Sequence, residues 1–240
     1  MNAKENIKDN FPIYHTNWLN RLTIIDVVQA AANNYARGLL LDVGCGAKQY
    51  QKLFDDKVEA YLGLDLRIPS PQLSEAGPDI LASALRAPLP NNTFDTVVSF
   101  QVLEHVPEPH IMLVEIARIL KPGGYLILMA PQMWNLHEIP NDYFRYTRYG
   151  LTYLAERAGL AVIKIQPISG FWIRVGLVMS YRIHQILLGR RVRSLRVIQL
   201  AIRFMIIISN LAFCGIDRLW SRLDDPINNL LVAQKCKHLD

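Results

Sequence analysis

The stretch from Pro131 to Tyr149 reads Pro-Gln-Met-Trp-Asn-Leu-His-Glu-Ile-Pro-Asn-Asp-Tyr-Phe-Arg-Tyr-Thr-Arg-Tyr. Ionisable, polar and aromatic side chains are denser there than a connecting loop requires. His137, Glu138 and Asp142 can take or hold a proton. A base is needed wherever a hydroxyl or a protonated amine must become a nucleophile. The plain alternative is a self-packed loop in which Arg145 pairs with Glu138 or Asp142. A second group with chemical potential lies in Leu39-Leu40-Leu41-Asp42-Val43-Gly44-Cys45-Gly46-Ala47. Three leucines, an Asp and a Val read as a buried strand that stops at a Gly-x-Gly turn. Glycine has no Cβ, so the turn can be tight and a ligand can lie on its backbone. The spacing predicts a helix from Ala47 to Asp55 with unpaired N–H groups in its first turn. About 20 residues past the turn, Tyr61-Leu62-Gly63-Leu64 ends in Asp65, where an acid accepts hydrogen bonds from both hydroxyls of a ribose.

The departures from nucleotide motifs narrow the ligand. A dinucleotide turn has a third glycine where this chain has Gln49. No Gly-x-x-x-x-Gly-Lys-Ser/Thr run is present for a triphosphate. A ligand with adenosine and ribose but no phosphate fits better, and S-adenosylmethionine is such a ligand.

The motifs then occur in a recognisable order. Asp42-Val43-Gly44-Cys45-Gly46 resembles the first motif of class I S-adenosylmethionine-dependent methyltransferases. Pro90-Asn91-Asn92-Thr93-Phe94-Asp95-Thr96-Val97 is similar to their approach to the fourth strand. Leu103-Glu104-His105-Val106 and Leu120-Lys121-Pro122-Gly123-Gly124-Tyr125-Leu126 complete the set. The likeness is to the small type 11 group and covers residues 38 to 167, with a last strand near 229 to 236.

The resemblance implies a Rossmann-like α/β fold. Its doubly wound, mostly parallel seven-stranded sheet would end in an antiparallel strand, with an apolar helical insertion before that strand. It implies S-adenosyl-L-methionine as cofactor, held by Asp42, Gly44, Cys45, Gly46, Asp65, Leu66, Ser83, Ala84, Gln101 and His105. Relatives place an Asp for the adenine amino group where this chain has Ser83, so the backbone N–H of Ala84 is left to serve the ring. Relatives also carry a His-Glu-x-Pro-x-Asp-Tyr-Phe-Arg-Tyr-Thr run, which makes the 131–149 stretch an acceptor-side loop and His137 the better base.

The elements that must position these groups can be read in order. Trp18, Leu19, Leu22, Ile25, Val28 and Ala32 recur at helical spacing in a leading helix from His15 to Tyr35. Strands are expected at 38–43, 60–65, 79–82, 94–100, 125–130 and 160–168. Phe94 to Phe100 is nearly continuous in apolar residues, as in a parallel strand covered on both faces. Pro107, Glu108 and Pro109 start a helix that Lys121-Pro122-Gly123-Gly124 stops. Thr147 caps a helix over Tyr149–Ala158 that Gly159 ends. The expected domains are a helical cap over 1–37, the methyltransferase core over 38–168, an insertion over 169–225, and the last strand and tail over 226–240.

The insertion sets this chain apart. Residues 171–188 and 197–216 are apolar, and the basic run Gly189 to Arg196 separates them. The second apolar run has the length of a membrane span, yet it contains Arg203, and the chain must return for its last strand. A helical hairpin lying on a membrane surface through residues 170–222 fits better, with arginines meeting anionic lipid. A homodimer contact is the other expectation. The sequence has 240 residues, 51% of them hydrophobic, 20% charged, and a net charge of +5. That length suits one well-buried domain with an elaboration. No nucleic-acid signature accompanies the basic balance, so nucleic acid is disfavoured as a partner. Cys45, Cys214 and Cys236 are widely spaced, suggest neither a disulfide framework nor a zinc site, and call for no metal. These features point to a cytoplasmic enzyme at the inner face of a membrane that methylates a small-molecule or lipid-linked acceptor, glycans included. A catalytically inactive, membrane-associated binding module is the alternative.

Overall fold

The structure is a computed structural model, and it describes residues 12–68, 77–187, 196–221 and 223–236. The elements run α1 (Trp18–Tyr35), β1 (Leu39–Val43), β2 (Ala60–Asp65), β3 (Ile80–Leu81), β4 (Phe94–Phe100), α2 (Pro109–Ile119), β5 (Leu120–Pro131), α3 (Arg148–Arg157), β6 (Leu160–Ile168), α4 (Phe171–Leu187), α5 (Arg196–Leu219) and β7 (Asn228–Lys235). The strands form one sheet in the order β3-β2-β1-β4-β5-β7-β6. β1 pairs in parallel with β2 and β4, and β4 with β5, whereas β7 is antiparallel to β5. The fold is α/β and Rossmann-like, with the expected helical insertion before the last strand.

The apolar runs explain the layering. Leu40, Leu41, Val97, Val98, Leu126, Ile127, Leu128 and Leu231 are fully buried, as strands sandwiched on both faces must be. On α2 the buried residues Met112, Leu113, Ile116, Ala117 and Ile119 recur at helical spacing and join Leu41, Leu126 and Leu151 in one core cluster.

Three local expectations are corrected. No α-helix follows the glycine turn; the segment contains only a short 3-10 turn at Gln51–Leu53. Lys48 takes a left-handed φ of 51° and sends its ammonium to Asp79 at 2.6 Å, which interrupts helical winding. β5 begins at Leu120 rather than Tyr125, because Leu120 is already extended with ψ of 138°. The leading helix begins at Trp18, three positions after the expected start. By contrast, the side chain of Thr147 does cap α3, accepting from Gly150 N at 3.1 Å, and Gly159 follows with φ of 79°.

Backbone contacts divide the chain into two compact units, Met1–Val27 with Pro167–Ile227, and Val28–Gln166 with Asn228–Asp240. The second holds most of the sheet. In the first, the side chain of Asn210 on α5 accepts from Ser180 Oγ on α4 at 3.0 Å and donates to Ile13 O at 2.7 Å. Gly176 meets Phe213 so closely that a Cβ would lie 2.6 Å from it. Val197–Leu219 is 23 residues long and contains an 18-residue stretch of mean hydropathy 2.0, enough by length and composition to cross a membrane. Along it Val197, Leu200, Phe204, Ile208 and Leu211 are exposed. The basic run at 189–195 lies outside the described residues.

Thr147→Ala removes one cap acceptor from an exposed helix start. We expect it to lower the unfolding free energy in urea by about 1 kcal/mol, with an unchanged slope against denaturant.

Candidate functional site

Parallel pairing places the carboxyl ends of β1, β2, β4 and β5 along one edge of the sheet, where open α/β sheets bind ligands. At the end of β1, Gly44 N and Cys45 N both donate to Leu64 O, at 2.7 and 3.1 Å. The next amide, Gly46 N, donates to Asp65 Oδ2 at 2.8 Å. Asp65 therefore faces the glycine turn, and its other oxygen accepts from Arg67 N at 3.1 Å. The two glycines serve different ends. Gly44 has φ of 77°, and a Cβ there would stand 2.3 Å from Val102. Gly46 has φ of 49°, and a Cβ on it would meet nothing within 4 Å, so space is open over the turn.

The other residues named from sequence are placed as follows. Asp42 is buried and accepts from the Tyr61 hydroxyl at 2.5 Å. Burial raises its pKa to about 7, against the lowering effect of that hydrogen bond. Burial also pushes the Cys45 thiol up to about 12. Leu66 is 67% exposed beside Asp65. Ser83 Oγ accepts from Leu85 N at 3.2 Å, so the hydroxyl is turned into its own loop, in which Ala84 is half-buried. Gln101 has φ of 59°, and its side-chain amide donates to Asn228 Oδ1 at 2.8 Å.

A second assembly joins the end of β4 to the 131–147 loop. Glu104 O accepts from Tyr143 N at 2.9 Å, and the Tyr146 hydroxyl donates to Leu103 O at 3.0 Å. His105 Nδ1 lies 2.7 Å from Asn141 O. His137 Nδ1 lies 3.2 Å from Asn135 O and 3.4 Å from Asp142 Oδ2. The two imidazoles stack edge to face with ring centres 4.6 Å apart.

Arg145 chooses Asp142 over Glu138. Its two terminal nitrogens reach the two carboxylate oxygens at 2.6 and 2.8 Å. Arg145 and the His137 amide hold the Asp142 carboxyl well below the usual range. Asp142 is thus an orienting anion for His137 and a poor proton acceptor near neutral pH. Glu138 is exposed at φ of 54°.

The sequence reading did not single out Glu104. Its side chain is 0% exposed, and neither carboxylate oxygen has a hydrogen-bond partner. Burial raises its pKa to about 7. The available signal was an acid beside His105 directly after an apolar strand, but sequence does not reveal that its partners are missing.

Residues 41–128 match the family model described as a methyltransferase domain. An uncharacterized methyltransferase of Mycobacterium bovis is 35% identical over 104 residues, 40% of this chain and 39% of that relative. One from Schizosaccharomyces pombe is 40% identical over 63 residues, 26% of this chain and 23% of that relative. The chain thus spans about two fifths or less of the length of these relatives. Among solved structures, the putative methyltransferase complexed with the Trm112 activator of Haloferax volcanii has a TM-score of 0.57 at 18% identity, over 97% of this chain and 93% of that one. A phosphoethanolamine N-methyltransferase of Haemonchus contortus with S-adenosyl-L-methionine gives 0.52 at 16% identity, over 94% and 57%. The [4+2]-cyclase SpnF gives 0.56 at 20% identity, over 89% and 80%. These likenesses establish the fold.

The raised pKa of Asp42 has a definite pH consequence. A folded value of about 7, above the ordinary 3.8, means that the stability tied to its protonated form is full below about pH 4 and is lost as pH rises through 7. The melting temperature of Asp42→Asn minus that of the wild type should therefore increase between pH 5 and pH 8, read by circular dichroism.

Proposed function

We propose that this chain, whose residues 41–128 match the family model described as a methyltransferase domain, transfers a methyl group from S-adenosyl-L-methionine to a small-molecule or lipid-linked acceptor, glycans included. The observation that carries the reading is the Gly46 N–H to Asp65 Oδ2 bond beneath open space. It aims the carboxylate at a turn with room for a ligand. In this reading Asp65 accepts from the ribose hydroxyls, Leu66 offers apolar surface to the adenine, and the amide of Ala84 meets the ring edge. Gly44, Cys45 and Asp42 act as framework: their amides and carboxylate are engaged by Leu64 and Tyr61, and they fix where Gly46 sits. Gln101 and His105 wall the methyl side. When bound, S-adenosylmethionine supplies an electrophilic methyl on a sulfonium, a good leaving group. The chain then contributes mainly alignment, which can account for roughly 7–11 kcal/mol of such a barrier. His137, oriented by Asp142, is the residue best placed to take an acceptor proton.

We assign the exposed apolar side of α5 to the inner face of a membrane, which suits a cytoplasmic enzyme with a lipid-linked acceptor. Phe204 and Leu200 are both more than half exposed, and the sequence beside them carries Arg190, Arg191 and Arg193. A membrane-bound module without catalysis is the competing reading; it draws on Ser83 standing where relatives have Asp.

Asp65→Ala should weaken S-adenosylmethionine binding at least tenfold by calorimetry while leaving the melting curve near wild type. Unchanged affinity would overturn the ribose role. Wild-type protein should float with anionic liposomes at low salt, and the double variant Leu200→Glu, Phe204→Glu should stay at the bottom of the gradient. Equal flotation of both would remove α5 from the membrane.

A further inference from the structure

We propose that Glu104, His105 and His137 form a binding site for one divalent transition-metal cation of the zinc or manganese kind, which selects an oxygen nucleophile as acceptor. One donor atom from each of these residues lies within 4.8 Å of the others. Glu104 Oε1 stands 3.9 Å from His105 Nε2. Metal bonds of about 2.1 Å put donors roughly 3.4 Å apart, so a small rotation of the side chains closes the set.

Three independent features of the surroundings suit a cation. First, both Glu104 oxygens are buried without a hydrogen-bond partner, and a buried carboxylate is ordinarily paired, hydrogen-bonded or on a metal. Second, both imidazoles are turned the right way. A carbonyl oxygen only accepts, so His105 Nδ1, at 2.7 Å from Asn141 O, carries the hydrogen and leaves the Nε2 lone pair available. His137 Nδ1 likewise faces only acceptors, Asn135 O and Asp142 Oδ2. A carbonyl against the far nitrogen of one ligand histidine and a carboxylate against that of the other is the usual way a protein fixes metal-binding imidazoles. Arg145, with both prongs on Asp142, holds that carboxylate in turn. Third, the site is open on one side. Glu104 is 0% exposed, but the His105 and His137 side chains are 21% and 33% exposed, which leaves coordination positions for an incoming ligand.

Two imidazoles and one carboxylate favour zinc, manganese or iron over magnesium, which takes oxygen donors. A cation at the ends of β4 and β5 would lower the pKa of a coordinated hydroxyl, as it does for bound water. As a metal ligand His137 gives up the base role it has without the ion, so the acceptor's O–H proton passes to solvent and its oxygen lone pair forms the new O–CH3 bond. The electron pair of the breaking C–S bond stays on sulfur. The metal site stands on its own geometry; its consequence for the acceptor rests on the methyl-transfer reading.

The test is calorimetric titration of the chelator-stripped full chain with Zn2+, Mn2+ or Mg2+ alone, and separately with S-adenosylmethionine. One ion of Zn2+ or Mn2+ should bind per chain, more tightly than Mg2+, and should raise the melting temperature. Glu104→Gln and His137→Ala should each weaken that binding at least tenfold and abolish the melting shift, whereas Asp56→Asn on the surface should do neither. No ion binding, or equal binding by both variants, overturns the site. Ion binding without S-adenosylmethionine binding keeps the site and removes the methyl-transfer reading; the converse removes the site and keeps that reading. In a screen of hydroxyl and amine acceptors, added Mn2+ should raise turnover only on hydroxyls, and turnover confined to amines would overturn the choice of oxygen.

Discussion

The carbonyl of Leu64 accepts two amides, those of Gly44 and Cys45, and the turn above β1 depends on that shared acceptor. The bond pair ties the carboxyl end of β1 to that of β2 just where β1 stops. Once those amides are consumed, the next one, Gly46 N, is presented to Asp65. Gly44 has no room for a side chain because Val102, from the neighbouring β4 end, fills it. Three strand ends therefore determine one backbone conformation. The turn is held by cross-strand hydrogen bonds, not by the start of a helix, and its anion-facing amides are fewer than a helix N-terminus would supply. That suits a ligand bound through hydroxyls and a ring better than one bound through phosphates.

A parallel arrangement governs the other half of the edge. The 131–147 loop is hung on the segment after β4 by Tyr143 N to Glu104 O and by the Tyr146 hydroxyl to Leu103 O. His105 to Asn141 adds a third tie. The dense polar run thus packs on itself and on its neighbour, with Arg145 locked onto Asp142. Self-packing and function need not compete, since the same bonds that stabilise the loop set the tautomer and direction of His105 and His137.

This accounts for what was legible in the sequence and what was not. The strands were readable because an apolar run bounded by turn residues has few other fates, and β6 and the Thr147 cap stand where their local patterns put them. The helix expected after Gly46 failed because tertiary bonds decide that segment: Lys48 turns to reach Asp79, and a salt bridge to a residue 31 positions away leaves no local trace. Arg145 had two acids upstream, three and seven positions away, and only the folded loop separates Asp142, beside it, from exposed Glu138. Glu104 escaped notice for a related reason. A residue type is visible in sequence, but the loss of its hydrogen-bond partners on burial is a property of the packing.

The matched methyltransferase segment ends at residue 128, and that boundary divides the site. The glycine turn, Asp65, Glu104 and His105 lie inside it, whereas His137, Asp142 and Arg145 lie beyond. The shared part carries the glycine turn and the acid that faces it. A [4+2]-cyclase stands among the structures of similar fold, so the fold does not by itself fix a reaction. The reaction should therefore be sought in the groups that β5 delivers after the match has stopped. There, His137 gains its orientation from Asp142, and Asp142 gains its own from Arg145. Arg145 makes its ion pair with Asp142, and the buried carboxylate of Glu104 lies near two imidazoles without a hydrogen bond of its own. An arrangement of that kind costs stability as it stands. It lies past the carboxyl end of β4, on the edge of the sheet where open α/β folds bind ligands.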